Sequence, residues 1–167
     1  MFPGDLMAEA EAVLSAARAR GFRIATAESC TGGLIVGLLT AIGGSSDVVD
    51  SGAVTYSNAA KTRMLGVPAD MIAAHGAVSE EVARAMAEGA LGRSGADLAI
   101  AVTGVAGPGG GTAEKPVGLV WFGLAGPTGT FVFSRHFAGD RTMVRMATVR
   151  EALSLLARAL EPPTRYA

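Results

Sequence analysis

The sequence is poor in cysteine, histidine and aromatic residues. Its 167 residues include one cysteine, two histidines and only 5% aromatic residues. A single cysteine excludes an internal disulfide framework and a Cys-rich metal site, so the reducing cytoplasm is the expected compartment. The histidines, His75 and His136, lack the spacing of metal ligands, and we therefore expect no metal site.

Net charge and long apolar runs are also scarce. The formal net charge is −1 and the pI is about 6.1, which argues against a protein that binds nucleic acid or a membrane surface. The longest apolar run, Leu34–Ile42, contains Gly37 and is far too short to span a bilayer. The first residues lack the basic and apolar regions of a signal peptide.

Hydrophobic residues, in contrast, are abundant. They make up 50% of the sequence, which is enough for a full core, and we expect a single domain over residues 1–167. The mean hydropathy of +0.39 is high for a soluble protein. Buried parallel strands would explain this value, and so would a subunit interface; a homodimer is the simplest such assembly.

The apolar periodicity predicts helices and strands that alternate before a late hairpin. The expected order is α-β-α-β-α-(α)-α-β-β-β-α. This order is typical of the α/β class and predicts a three-layer α/β/α sandwich with a mixed, mostly parallel sheet. The predicted strands are Arg23–Ala27, Val48–Tyr56, Leu98–Thr103, Val117–Leu124 and Thr130–Phe137. The main predicted helices after the first strand are Thr31–Ala41, Ala59–Leu65, Ser79 to about Leu91, and Thr142–Leu160.

A polar cluster follows the first predicted strand, where Thr26–Gly33 reads T-A-E-S-C-T-G-G. A strand-to-helix turn points its side chains into the crevice at the carboxyl ends of the strands, and the N–H groups of the next helical turn face the same place. Ser29 and Cys30 are both candidate nucleophiles. The alternative is an ordinary turn in which Ser29 or Thr31 only caps the helix.

The second predicted strand leads into a similar turn, Tyr56–Lys61. In a parallel sheet this turn lies at the same edge as the first. Lys61 would then sit in the first turns of a helix, where the helix dipole favours the neutral amine. A partly buried lysine with a lowered pKa can take a proton from serine. The alternative is an ordinary solvated lysine.

Two further features point to the same edge. The glycine-rich loop Gly104–Gly111 follows the third predicted strand; it is neither a dinucleotide fingerprint nor a Walker loop, but its N–H groups could cradle a phosphate or cover a substrate. Arg141 and Arg145 lie one helical turn apart at the start of the last helix and suit a phosphate. A flexible surface loop and a solvated charged face are the respective alternatives.

Taken together, four motifs resemble the C-terminal domain of the CinA proteins, which also occurs alone as the PncC-type nicotinamide-nucleotide amidohydrolase. The motifs are T-A-E-S-C-T-G-G at Thr26–Gly33, G-A-V-T-Y-S-N-A-A-K at Gly52–Lys61, H-G-A-V-S at His75–Ser79 and A-V-T-G-V-A-G-P-G-G-G-T-A-E-K-P-V-G at Ala101–Gly118. The resemblance covers nearly the whole chain. It implies hydrolysis of the carboxamide of nicotinamide mononucleotide to nicotinic acid mononucleotide and ammonia, without a metal or other cofactor.

The resemblance also implies roles for the residues that match its motifs. Ser29 becomes the nucleophile and Lys61 its base, with Tyr56 as a relay, and Cys30 takes a supporting role. We expect Glu28 to orient Lys61 or Tyr56. The N–H groups of Thr31, Gly32 and Gly33 are expected to hold the oxyanion. The phosphate is expected to contact Arg141 and Arg145 or the Gly104–Gly111 loop. The other residues expected to contact the substrate are Asn58, Thr103, Gly104, Gly107 and Gly109.

The expected partner is therefore a small mononucleotide, rather than a nucleic acid or a membrane. A non-catalytic nucleotide-binding or regulatory module, of the competence- and damage-inducible type, is the alternative function.

Overall fold

The computed structural model describes residues 2–162 and shows one sheet with helices before, between and after its strands. Met1 and residues 163–167, which the expected domain includes, lie outside this range. The strands are β1 (Ile24–Glu28), β2 (Val49–Val54), β3 (Leu98–Gly104), β4 (Leu119–Gly126) and β5 (Gly129–His136). The α-helices are α1 (Gly4–Arg20), α2 (Leu34–Thr40), α3 (Asn58–Leu65), α4 (Ala69–His75), α5 (Glu80–Gly92) and α6 (Arg141–Ala159).

The sheet has the strand order β2-β1-β3-β4-β5. β1 lies parallel to both β2 and β3, whereas β4 pairs antiparallel with β3 and with β5. Four strands therefore run in one direction and only β4 opposes them, which confirms the predicted mixed, mostly parallel sheet. Glu28, at the end of β1, lies opposite Val54 of β2 and Val102 of β3. The segments that follow these three strands consequently meet at one edge.

Helices cover both faces of the sheet and complete the predicted three layers. α1, α2 and α6 form one core with bulky strand residues such as Ile100 and Phe122. α3, α4 and α5 pack on the other face, where the sheet presents mostly alanine and glycine. A Cβ atom at Gly123 would lie 2.5 Å from the carbonyl oxygen of Ala83, so α5 approaches the sheet more closely than larger side chains would allow. Within residues 2–162 no helix is both long and apolar enough to cross a membrane.

Most predicted element boundaries agree with the structure to within one or two residues, but the helix after β1 begins later than predicted. It starts at Leu34 rather than at Thr31, because Gly33 has a left-handed conformation with a φ of 97° immediately before it. Residues 31–33 are thus part of a turn. The strand predicted to reach Tyr56 ends at Val54, so the turn after β2 is also longer than predicted.

Candidate active site

Ser29 lies immediately after β1, at the edge where β1, β2 and β3 end. Its backbone N–H donates to the carbonyl oxygen of Val102 at 3.0 Å, so the sheet still holds this residue although the strand has ended. The side chain is half-buried. Ser29 is therefore held by the sheet at the edge where the sequence predicts the turn.

Lys61 reaches the same point from the second turn of α3. Its Nζ lies 3.0 Å from Ser29 Oγ and donates to the carbonyl oxygen of Thr55 at 2.8 Å. Lys61 is only 1% exposed, and none of the ion pairs found among residues 2–162 includes it. Burial lowers the pKa of Lys61 below its usual 10.5. This shift raises the fraction of neutral amine at a given pH, and the lone pair of that form can accept the Ser29 proton.

Cys30 has the opposite character to a reactive thiol. It is 6% exposed, and burial raises its pKa to about 11. Because the thiolate rather than the thiol is nucleophilic, Cys30 is nearly unreactive at neutral pH. Ser29, with a base in contact, is the better nucleophile of the two.

The structure corrects the predicted role of Glu28. Within residues 2–162 this fully buried side chain makes no hydrogen bond to Lys61 or Tyr56; its two carboxylate oxygens instead accept five hydrogen bonds of 2.7 to 3.3 Å. The donors are the hydroxyl groups of Thr26 and Thr31 and the backbone N–H groups of Gly33, Ile35 and Val36. Glu28 thus caps α2 and fixes the turn that carries Ser29.

The predicted oxyanion donors also need correction. The N–H of Gly32 donates to the carbonyl oxygen of Ser29 at 3.1 Å, and the N–H of Gly33 donates to Glu28, so neither is available to a substrate. Among residues 2–162, the backbone N–H groups of Cys30 and Thr31 have no hydrogen-bond acceptor. Of the three residues predicted, only Thr31 keeps an available N–H, and Cys30 joins it.

The structure does not support Arg145 as a phosphate ligand. Its Nε donates to the carbonyl oxygen of Cys30 at 3.1 Å, and its Nη2 donates to the carbonyl oxygen of Thr31 at 2.8 Å. The guanidinium group is therefore engaged by the backbone of the nucleophile turn. The phosphate role that the sequence suggested for Arg145 stays a prediction, and the contacts of its Nε and Nη2 favour a role within the protein.

Arg141 and Tyr56 form a second connection across the site. Arg141 donates to the hydroxyl oxygen of Tyr56 at 2.7 Å and to the carbonyl oxygen of Gly107 at 2.8 Å. Among the described residues Tyr56 makes no hydrogen bond to Lys61 or Ser29, and Lys61 contacts Ser29 directly, so the proposed relay is not needed. The Tyr56 ring is 60% exposed and borders the nucleophile turn.

Two residues predicted to contact the substrate have structural partners instead. The buried hydroxyl of Thr103 donates to the carbonyl oxygen of Ala77 at 2.8 Å and ties β3 to the segment before α5. Gly104 is the last residue of β3, and a Cβ atom there would lie 2.7 Å from the Val120 side chain. Thr103 and Gly104 lie at the predicted edge of the sheet, but a hydrogen bond and close packing explain why these residue types are found there.

Three further residues were predicted to contact the substrate, namely Gly107, Gly109 and Asn58. Gly107 has a φ of 82°, and its carbonyl oxygen accepts a hydrogen bond from Arg141. Gly109 and Asn58 are exposed, the latter as the first residue of α3. A cleft of about 530 Å³ lies between this glycine-rich loop and the start of α6, with Arg141 in its wall.

Sequence reasoning missed Thr55, which lies between β2 and Tyr56. Its N–H donates to the carbonyl oxygen of Glu28 at 2.8 Å, and its own carbonyl oxygen holds Lys61 Nζ. Hydrogen bonds made by the backbone do not depend on the residue type, so the sequence cannot predict them. The only sequence feature that pointed to Thr55 was its position inside the Gly52–Lys61 motif. Among residues 2–162, no group of three or more His, Cys, Asp and Glu side chains could hold a metal ion.

The fold and the site define a three-layer α/β protein with a serine–lysine pair at the carboxyl edge of its parallel strands. The family model described as CinA C-terminal domain matches residues 7–160. The chain belongs to the CinA C-terminal domain family, which confirms the resemblance inferred from the motifs.

Individual relatives agree with this assignment. The chain is 56% identical over 150 residues to a CinA-like protein of Anaeromyxobacter sp. (strain K), a match that covers 90% of this chain and 37% of that protein. It is 57% identical over 146 residues to a CinA-like protein of Mycolicibacterium gilvum, with 87% and 35% covered. The chain thus spans little more than a third of the length of these curated relatives.

Solved structures match along almost their entire length. The competence/damage inducible protein CihA of Agrobacterium tumefaciens has a TM-score of 0.91 and 51% identity, with 96% of this chain and 98% of that chain covered. A CinA superfamily protein of Escherichia coli has a TM-score of 0.88 and 36% identity, with 95% and 94% covered. Both confirm the predicted fold class.

Proposed function

We propose that this chain hydrolyses the carboxamide of nicotinamide mononucleotide to nicotinic acid mononucleotide and ammonia. The observation that carries the reaction type is the 3.0 Å contact between Ser29 Oγ and the buried Nζ of Lys61. A serine with an uncharged amine in contact is suited to acyl transfer. The substrate is taken from the family that the motifs resemble.

The first step forms an acyl-enzyme. Neutral Lys61 accepts the proton of the Ser29 hydroxyl while Ser29 Oγ attacks the carboxamide carbon. The carbonyl oxygen of Thr55 accepts one N–H of the amine, which helps to direct the lone pair towards the serine. Lys61 then gives the proton to the amide nitrogen, and ammonia leaves.

The second step returns the enzyme to its starting state. Water attacks the ester carbon, and Lys61 takes its proton and passes one to Ser29 Oγ as the acid departs. In both steps negative charge develops on the carbonyl oxygen. The N–H groups of Cys30 and Thr31 directly follow the nucleophile and are available to stabilise that charge.

Recognition of the nucleotide is assigned to the exposed side of the same edge. The Tyr56 ring is exposed beside the nucleophile turn and offers a face on which the pyridine ring can stack. Arg141 uses only part of its five-donor guanidinium on Gly107 and Tyr56, and it lines the adjacent cleft. We assign the phosphate to Arg141 because it lines this cleft, whereas Arg145 bonds to the turn that carries Ser29.

The experiment is to incubate the purified protein with nicotinamide mononucleotide and to measure ammonia and nicotinic acid mononucleotide together. Both products should appear in equal amounts, and Ser29→Ala, prepared identically, should produce neither. Folded wild-type protein that yields no ammonia at any pH between about 6 and 10 would overturn the proposal.

A regulatory module is the second candidate function. The name of the Agrobacterium tumefaciens structure, a competence/damage inducible protein, is the observation that favours it. Saturable binding of the mononucleotide without turnover would support this function over the amidase. The contact between Ser29 and Lys61 favours the amidase, because nucleotide binding alone does not need a buried lysine beside a serine.

A further inference from the structure

Arg145 reaches from α6 to the turn that carries Ser29. Its two hydrogen bonds to this turn, at 3.1 Å to the carbonyl oxygen of Cys30 and at 2.8 Å to that of Thr31, come from one planar guanidinium group. A planar group with two fixed donors constrains both carbonyl oxygens relative to each other, which a lysine ammonium would not do.

Fixing these carbonyl oxygens also fixes N–H groups. In a trans peptide the C=O and the N–H are coplanar and point in opposite directions. The carbonyl of Cys30 shares its peptide plane with the N–H of Thr31, so the bond to Arg145 turns that N–H away from the guanidinium group. The N–H of Cys30 is fixed similarly, because the carbonyl oxygen of Ser29, in the same peptide plane, accepts from Gly32.

From this geometry we infer that Arg145 is a positioning residue that holds the N–H of Thr31 in the orientation that binds the oxyanion. The inference rests on the proposed acyl-transfer function. Arg145 acts from behind the turn and does not touch the substrate. Its positive charge on the Cys30 carbonyl also polarises that peptide and makes the Thr31 N–H a stronger donor.

The opposite side of the turn supports this role. Glu28 accepts from the Thr31 hydroxyl and from the N–H of Gly33, so the turn is held by an anion on one side and by Arg145 on the other. Gly32, with a φ of 61°, lies between the two, and a Cβ atom there would lie 3.5 Å from Arg145 Nη2. The peptide plane between Cys30 and Thr31 therefore cannot rotate without breaking the charged hydrogen bond from Arg145.

The test uses an alkyl fluorophosphonate, which reports on the oxyanion donors independently of the nucleotide. Ser29 Oγ forms a bond to phosphorus, fluoride leaves and Lys61 takes the serine proton, while a phosphoryl oxygen occupies the oxyanion position. The labelling rate at Ser29 is measured by mass spectrometry for wild type, Arg145→Ala and Arg145→Lys. Arg150→Ala is the matched control, because Arg150 lies on the same helix and, in the part of the chain that the structure describes, forms ion pairs with Asp5 and Glu9 of α1.

We expect Arg145→Ala to label about 100-fold more slowly than wild type, the loss typical of a displaced oxyanion donor. Arg145→Lys should remain slow because its ammonium group lacks the planar, fixed pair of donors that orients both carbonyl oxygens. Guanidinium ion at sub-denaturing concentration should restore part of the rate in Arg145→Ala, whereas Arg150→Ala should label normally. kcat for the mononucleotide should fall in parallel, with little change in KM.

Several outcomes would overturn the inference. These are folded Arg145→Ala that labels at the wild-type rate, a rise in KM with unchanged labelling, and wild type that does not label at Ser29. If Arg145→Ala does not fold, Arg145→Lys decides, and a wild-type labelling rate there counts against the inference. If wild type labels as expected but releases no ammonia, the proposed substrate fails while the role of Arg145 stands.

Discussion

Lys61 Nζ lies 3.0 Å from Ser29 Oγ, although 32 positions separate the two residues in the chain. Each residue follows one of two paired parallel strands, β1 and β2, which end at the same edge of the sheet. The contact is thus a consequence of topology, and α3 brings the lysine back over the end of β1. The burial that accompanies this contact is what lowers the pKa of Lys61.

The pH dependence of activity should follow Lys61. Only the neutral amine can accept the serine proton, so kcat/KM should rise as pH increases through the pKa of Lys61, which burial places below 10.5. Lys61→Arg should lose this rise together with most of the activity, because a guanidinium group stays protonated. Lys115→Arg, a change at the other lysine of the chain, should keep the wild-type profile. A flat wild-type profile would exclude Lys61 as the base.

The edge of the sheet and the serine–lysine pair could be predicted from sequence because they follow from strand order. The polar turns that follow two adjacent parallel strands must lie at the same edge of the sheet, and this does not depend on the contacts that their side chains make. The family resemblance then selected Ser29 over Cys30, and burial of Cys30 agrees with that choice.

The roles of Glu28 and Arg145 could not be predicted, because charged side chains near a candidate site look equally suited to a ligand and to the backbone. The partners of Glu28 depend on where α2 begins, which the left-handed Gly33 delays by three residues. Arg145 donates to the carbonyl oxygens of Cys30 and Thr31, which lie 115 and 114 positions before it in the sequence. Local sequence patterns contain no information on contacts of that kind.

Replacement of Cys30 should leave the chemistry intact. Its thiol is buried with a pKa of about 11, and the hydrogen bond that links Cys30 to Arg145 is made by the backbone carbonyl, so Cys30→Ala should retain kcat within about twofold. The free energy of unfolding should fall by about 1 kcal/mol from the lost packing. Steady-state kinetics and urea denaturation measure the two effects. Loss of activity in a fully folded Cys30→Ala protein would indicate that the thiol is the nucleophile.

Removing the charge of Glu28 should affect stability first. Glu28→Gln replaces an oxygen that accepts hydrogen bonds by a donor, so at least one backbone N–H loses its partner, and we expect a loss of about 2 kcal/mol in urea denaturation. The acidic limb of the pH–rate profile should not move, because Glu28 does not contact Lys61. Glu88→Gln, at an exposed site on α5, is the control for charge alone. A shifted limb would show that Glu28 acts on the base after all.

Arg141 should determine recognition of the phosphate. Arg141→Ala should raise KM for nicotinamide mononucleotide about tenfold or more, the loss of a charge-assisted hydrogen bond, with a smaller effect on kcat. For nicotinamide riboside, which lacks the phosphate, the same variant should raise KM much less. Equal losses for both substrates would contradict a phosphate contact and would indicate that Arg141 acts only by holding Tyr56 and Gly107.

The serine–lysine mechanism is tested by measuring kcat for ammonia release in Ser29→Ala, in Lys61→Met and in the double variant, at matched folded fractions. A nucleophile and its base act as one unit, so each single variant should lose about 10³-fold or more and the double variant should lose no more than either. Ser154→Ala, at an exposed position of α6, should retain wild-type kcat. Near-wild-type activity in Ser29→Ala, or losses that multiply in the double variant, would contradict the serine–lysine mechanism.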